Sequence, residues 1–127
     1  MHRMEPSAPP FDVKQLDKLR VLEDESDPHV VVELARGFLS RAPQRLGRMR
    51  ALMCSGDAVT LAHEAHGLAS SSGMFGMMRV RMHCKALENL VRDAGTDGVG
   101  PLLFELERSF EEAQPLLKAE LGLEEVT

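Results

Sequence analysis

The stretch that decides the fold runs from residue 61 to residue 76 and reads LAHEAHGLASSSGMFG. Apolar residues in and just before it recur at the three- and four-residue spacing of a helix with one inward face. That face consists of Val59, Ala62, Ala65, Leu68 and Ala69. We therefore predict a helix from about Ala58 to about Ser72, broken by Gly73 and Gly76.

Similar apolar stripes lie on both sides of this helix. A long one precedes it, with Asp27 as the predicted cap and Pro28 in the first turn, and its inward residues include Val31, Leu34, Phe38, Leu46 and Met49. Two more follow, the first carrying Met77, Val80, Cys84, Leu87 and Val91, the second starting at Pro101. A short helix capped by Asp12 comes first. The pattern predicts an all-α protein: an antiparallel up-down-up-down four-helix bundle with a short extra N-terminal helix.

The organisation along the chain is simple. Residues 1–10 contain three prolines without periodicity, so we expect a flexible N-terminal arm. Residues 11–122 form the bundle domain, and residues 123–127 form a C-terminal tail. Gly56 should end the long helix and Asp57 should cap the next one.

Composition excludes several classes of function. The net charge is -5 and aromatic residues make up 4%, which argues against a nucleic-acid partner. Neither a membrane-spanning run nor the apolar core of a signal peptide is present, so we expect a cytoplasmic protein without a membrane partner. In that compartment Cys54 and Cys84 should be free thiols. The sequence has no phosphate-binding P-loop and no protein-kinase signature, so we expect no autonomous ATP-dependent kinase activity.

Among the five histidines, His66 has unusual neighbours. Small side chains surround it in sequence, namely Gly67, Ala69 and Ser70. Small neighbours would let a second protein reach its Nε2 atom, although they would equally allow close packing of helices. His63 lies one turn earlier, so the two rings form a conceivable metal site, but no Glu-x-x-His pair supports it. The other histidines look unremarkable: His2 in the arm, His29 beside a helix start and His83 on an outward face.

Residues 65–88, AHGLASSSGMFGMMRVRMHCKALE, closely resemble the signature of histidine-containing phosphotransfer (HPt) domains of two-component phosphorelays. The positions in register are His66, Leu68, Ser71, Ser72, Gly76, Val80, Cys84, Leu87 and Glu88. The resemblance extends over nearly all of the chain after Phe11. Two positions depart from it: Ala69 stands where the family usually has Lys, and Ser70 where it usually has Gly. Without that Lys, the positive charge near a phosphoryl group should be weaker.

The resemblance implies a mechanism. His66 would be the phosphoryl acceptor, attacking a phospho-aspartate on a receiver domain, and Glu88 would orient the ring through Nδ1. Arg92 is a candidate for supplying charge near the phosphoryl group, with His63 and Lys85 as weaker ones.

The resemblance also implies the partners. These are receiver domains of response regulators and a hybrid or sensor histidine kinase. The chain would have no cofactor or metal of its own, because the receiver supplies Mg²⁺. Some of Met74, Met77 and Met78 should be exposed and contact the receiver, unless they fill the core near Phe75.

Two other functions remain open at this point. A degenerate HPt fold that binds a receiver or kinase without transferring phosphate is compatible with Ala69. A metal-binding bundle that uses His63 and His66 is a less favoured alternative.

Overall fold

A computed structural model describes residues 8–23 and 25–123. Five α-helices follow one another: α1 (Val13–Leu19), α2 (Val30–Ser55), α3 (Ala58–Met74), α4 (Met78–Ala94) and α5 (Gly100–Leu121), with a 3₁₀ turn at Arg20–Leu22 after α1. Helix α3 packs against α2 and α4, and α5 packs against α4 and α2. The predicted all-α four-helix bundle with a short N-terminal helix is confirmed. Residues 1–7 of the predicted arm and 124–127 of the predicted tail lie outside the described residues.

Local capping signals determine several of the helix ends. The Asp12 carboxylate accepts a hydrogen bond from Lys14 N at 3.0 Å, and the Asp57 carboxylate accepts one from Thr60 N at 3.1 Å. Gly56 ends α2 in the left-handed conformation, at φ 78°. All three helix ends were predicted and are confirmed. They could be predicted because each depends on groups that lie within three residues of each other.

The predicted start of α2 is wrong by two residues. The helix begins at Val30, with His29 before it, and the His29 carbonyl accepts a hydrogen bond from Glu33 N at 3.0 Å. Pro28 therefore lies in the preceding turn rather than in the first helical turn. Val31 is the first side chain of this helix that is completely buried, so packing against the bundle, more than the Asp-Pro signal, decides where the helix starts.

The core consists mostly of leucine, alanine and valine, with a small aromatic cluster. Phe38 stacks on Phe75 at a ring-centroid distance of 4.9 Å and meets the edge of Phe110 at 6.2 Å. Two of the inward residues named above are in fact exposed, Val59 by 82% and Leu34 by 41%. Val59 lies two helical turns before His66 and shares the exposed face of α3, and Leu34 lies at the edge of a groove between α2 and α3. None of the described helices is long and apolar enough to cross a membrane.

The end of α3 brings the N-terminal segment onto the bundle. The helix continues through Gly73 to Met74, two residues beyond the prediction, and the chain reverses at Gly76, at φ 80°. Asp12 N donates a hydrogen bond of 2.8 Å to the Gly76 carbonyl. A Cβ at position 76 would lie 2.5 Å from the Asp12 carbonyl oxygen, so only glycine fits this junction.

Candidate functional site

His66 projects from the open face of α3. Its side chain is 63% exposed, and Ser70, one turn later, is exposed as well. The Ser70 hydroxyl donates back to the His66 carbonyl at 3.3 Å, so it lies along the helix instead of over the ring. Ala69 is buried and faces the bundle interior, where it serves close packing of helices. Access to the imidazole therefore depends on Gly67 and Ser70, and not on Ala69.

Glu88 holds the imidazole from the neighbouring helix. It lies on α4, and its carboxylate is 3.3 Å from Nδ1 of His66. The Glu88 side chain is only 12% exposed, so burial keeps the carboxylate in place between α3 and α4. In the tautomer that donates from Nδ1–H to Glu88, the lone pair of Nε2 points away from this contact.

Arg92 lies one turn beyond Glu88 and shares its carboxylate. Arg92 donates to the same oxygen of Glu88 from Nε at 3.0 Å and from Nη2 at 2.8 Å. Burial alone would raise the pKa of Glu88, but the hydrogen bonds and charges of Arg92 and His66 outweigh it and lower the pKa below its usual value. Glu88 is therefore ionised at neutral pH and can stabilise a positive charge on the ring.

The two weaker candidates for a charge, His63 and Lys85, are both exposed. His63 lies on the same face of α3 as His66, and Lys85 lies on the same face of α4 as Glu88. Neither makes an ion pair among the described residues. In the same part of the chain, no three His, Cys, Asp or Glu side chains come together as a metal site would require.

Sequence reasoning did not identify two arginines that pack against glycines of α3. Arg45 of α2 lies against Gly67, where its Nη1 atom is 3.0 Å from the position that a Cβ would take. Arg81 of α4 packs its methylene chain over Gly73, with Cδ 2.8 Å from the corresponding position. A glycine inside a helix costs about 1 kcal/mol relative to alanine, and that cost was the available signal that something packs closely there.

The methionines at the turn after α3 divide between surface and core. Met74 is 49% exposed, Met78 is half-buried and Met77 is completely buried. Phe75 is also buried, stacked on Phe38. Met74 is thus the methionine that a partner at this end of α3 would meet first.

His83 was predicted to face outward, and this is wrong. It is half-buried between α4 and α5, with Nδ1 3.1 Å from the Ser109 hydroxyl. That hydroxyl donates to the Leu106 carbonyl at 2.8 Å, so the ring must donate from Nδ1. Burial lowers the pKa of His83, an effect that Glu105 opposes and Arg79 reinforces. The reason for the error is that α4 is covered on two sides, by α3 and by α5.

The fold and the site together define a helical bundle that presents a carboxylate-bound imidazole on an open face. The family profile described as Hpt domain matches residues 33–115, well over half of the chain. The chain therefore belongs to the Hpt domain family, whose members take part in histidine phosphotransfer with the receiver domains and kinases of two-component systems. The match contains His66, Glu88, Arg92 and Arg45. A search of curated proteins finds no match to the chain.

Proposed function

We propose that this chain is a phosphorelay phosphotransfer protein. His66 accepts a phosphoryl group from the phospho-aspartate of one receiver domain and passes it to the aspartate of another. The observation that carries the proposal is the exposed His66 ring with Nδ1 bound to the largely buried carboxylate of Glu88. This arrangement fixes the orientation of the ring and leaves Nε2 open to a second protein.

The transfer is a displacement at phosphorus. The lone pair of Nε2 attacks the phosphoryl group, the bond between phosphorus and the aspartyl oxygen breaks, and the aspartate leaves with that electron pair as a carboxylate. The imidazole ring gains a positive charge because Nδ1 keeps its proton. Glu88 stabilises that charge through the Nδ1 hydrogen bond, and the reverse sequence delivers the group to the next aspartate.

The partner receiver supplies the aspartate and the Mg²⁺ that offsets the charge of the phosphoryl group. On this side of the complex, Arg92 limits the negative charge that Glu88 would otherwise present to the incoming phosphoryl oxygens. It does so through the two hydrogen bonds described above. We place this exchange in the cytoplasm, which is consistent with the free thiols of Cys54 and Cys84.

One observation favours a second candidate function. Ala69 replaces the lysine usual in the family, so the chain lacks one charge that aids phosphotransfer. A bundle that docks on a receiver or kinase without accepting phosphate is the alternative. The complete His66, Glu88 and Arg92 arrangement supports the phosphotransfer protein over this adaptor.

Incubation with a panel of receiver domains carrying radiolabelled phospho-aspartate tests the proposal. We expect label to appear on the wild-type chain within the time of the assay, to be stable to alkali and labile to acid, and to be absent from His66→Gln. His63→Gln is the matched control, because it removes a second exposed ring from the same face. Labelling of His66→Gln would show that another residue accepts the phosphoryl group, and stable binding of receivers without any labelling would replace this function with the adaptor.

A further inference from the structure

A groove runs between α2 and α3 and has a volume of about 280 Å³. Its floor is apolar, formed mainly by Phe38, Ala42, Leu68 and Phe75. Three arginines of α2 line it, Arg41, Arg45 and Arg48, and we call it the arginine groove. Their spacing places them on one face of α2.

The charge of the groove is opposite to that of the whole chain. The chain carries a net charge of -5, yet the groove gathers three guanidinium groups. Glu64 of α3 pairs with Arg45 at 3.1 Å and more loosely with Arg48 at 3.7 Å. Arg41 has no acidic partner among the described residues. The groove therefore keeps a positive charge that the fold itself does not neutralise.

Two glycines make room for these guanidinium groups. Arg41 lies along α2 over Gly37, with Nη1 and Nη2 each 3.0 Å from the position of a Cβ there. Arg45 crosses to α3 and lies against Gly67 in the same way. Gly67 directly follows His66 in sequence, so Arg45 reaches the turn of α3 that carries the exposed ring, on an adjacent face of the helix.

The groove is also continuous with the surface that a partner must cover. Leu68, Ser71 and Met74 of α3 line it, and all three lie within eight residues of His66 on the same helix. Leu34 and Met74, which are 41% and 49% exposed, form apolar edges. Because an α-helix rises about 1.5 Å per residue, Met74 lies about 12 Å along α3 from His66, which is within the footprint of a globular partner.

We propose that the arginine groove is a docking surface for the receiver domain and selects receivers with acidic side chains beside their phospho-aspartate. This proposal rests on the proposed function and names the chemistry of its partner. The apolar floor supplies contact area, while the arginines attract the acidic surface and fix its orientation. The choice among receivers then depends on charges of α2 that lie outside the reacting groups.

Charge reversal of Arg41 and Arg48 tests the proposal, with Arg45 left in place because it makes the closer ion pair with Glu64. In Arg41→Glu/Arg48→Glu, we expect KM for the preferred phosphorylated receiver to rise by about tenfold or more while kcat changes little. The neutral pair Arg41→Gln/Arg48→Gln should give a smaller rise. In the wild type, KM should increase with ionic strength, and this dependence should be weaker in both variants.

The matched control is Arg36→Glu/Arg108→Glu, which reverses two exposed arginines outside the groove. We expect its KM to stay within about twofold of the wild type. Circular dichroism and thermal unfolding check that each variant folds. If Arg41→Glu/Arg48→Glu does not fold, Arg41→Gln/Arg48→Gln provides the test.

Direct phosphorylation of His66 by phosphoramidate separates the two proposals. This small donor needs no docking surface, so its rate should be the same in wild type and groove variants. Unchanged KM in both groove variants, or an equal rise in the control, would overturn the docking role. Failure of the wild type to accept phosphate from any receiver would instead overturn the proposed function.

Discussion

Nδ1 of His66 lies 3.3 Å from the carboxylate of Glu88, across the contact between α3 and α4. The two residues are 22 positions apart in sequence, so this contact joins α3 and α4 at the reacting ring. The carboxylate is mostly buried and also binds Arg92, so the ring is held by a group that itself has a fixed place.

Glu88→Gln should slow the transfer of phosphate to His66 by about tenfold or more, which corresponds to about 1.4 kcal/mol in the barrier. Gln keeps a hydrogen-bond acceptor but lacks the charge that stabilises the charged ring. Single-turnover transfer from a phosphorylated receiver measures the effect. Glu111→Gln, which neutralises an exposed carboxylate on α5, is the control. Equal rates for wild type and Glu88→Gln would show that the Nδ1 contact does not assist the reaction.

Glu88 should also make the fold sensitive to acid. Its folded-state pKa lies below its usual value, so the unfolded chain binds the proton first as the pH falls. The stabilisation is complete above the usual carboxyl pKa of about 4.3 and is lost as the pH falls through the lower, folded-state value. Urea unfolding between about pH 6 and pH 3 should therefore show a smaller loss of stability in Arg92→Ala than in the wild type. The same loss in both proteins would contradict this role of Arg92.

The sequence predicted best what depends on neighbouring residues. The caps at Asp12 and Asp57 and the helix end at Gly56 follow from groups within three residues, and all were predicted. The periodicity of α3 correctly assigned Ala62, Ala65 and Leu68 to the core. It failed at Val59, which lies two helical turns before His66 and shares the exposed face of that ring.

The parts of the site that sequence reasoning missed all depend on contacts between helices. Arg45 meets Gly67 from α2, and Arg81 meets Gly73 from α4. The burial of His83 depends on α5. The resemblance placed Glu88 in register with His66, but the distance between them is a property of how α3 and α4 pack.

His83 should give the fold a second dependence on pH, near neutrality. Burial lowers its pKa in the folded state, so the unfolded chain takes up the proton first as the pH falls below about 6.5. Stability should decline as the pH falls from about 7 to about 5, and His83→Gln should reduce that decline. His63→Gln is the control, since His63 is exposed. If both variants keep the wild-type slope, the buried His83 does not contribute.

Gly76→Ala should destabilise the protein by about 2 kcal/mol or more. A left-handed conformation costs a residue with a side chain roughly 1–2 kcal/mol, and the new Cβ would also collide with the Asp12 carbonyl. Gly47→Ala should change the free energy of unfolding in the opposite direction. Position 47 is helical, with nothing within 4 Å of an added Cβ, so alanine should stabilise α2 by up to about 1 kcal/mol. Chemical unfolding of both variants measures the difference, and equal stabilities would show that the junction tolerates a side chain.

The two cysteines should differ in reactivity. Cys54 is exposed, whereas Cys84 is fully buried and burial raises the pKa of its thiol. A maleimide should therefore add once to the native chain and twice to the unfolded one, as counted by mass spectrometry. Cys54→Ser should show no adduct in the native state. Rapid modification of Cys84 in that variant would indicate that α4 opens on the time scale of the reaction.

The openness of His66 has a consequence for the lifetime of the proposed signal. The His66 side chain is 63% exposed, so a group attached to Nε2 is in contact with water. The described part of the chain forms no cover over it. The persistence of a phosphorylated state would then depend on the intrinsic hydrolysis of the phosphorus–nitrogen bond and on how soon an acceptor arrives. Under the proposed function, the lifetime of phosphorylated His66 would therefore be limited by hydrolysis and would shorten as acceptor domains become more abundant.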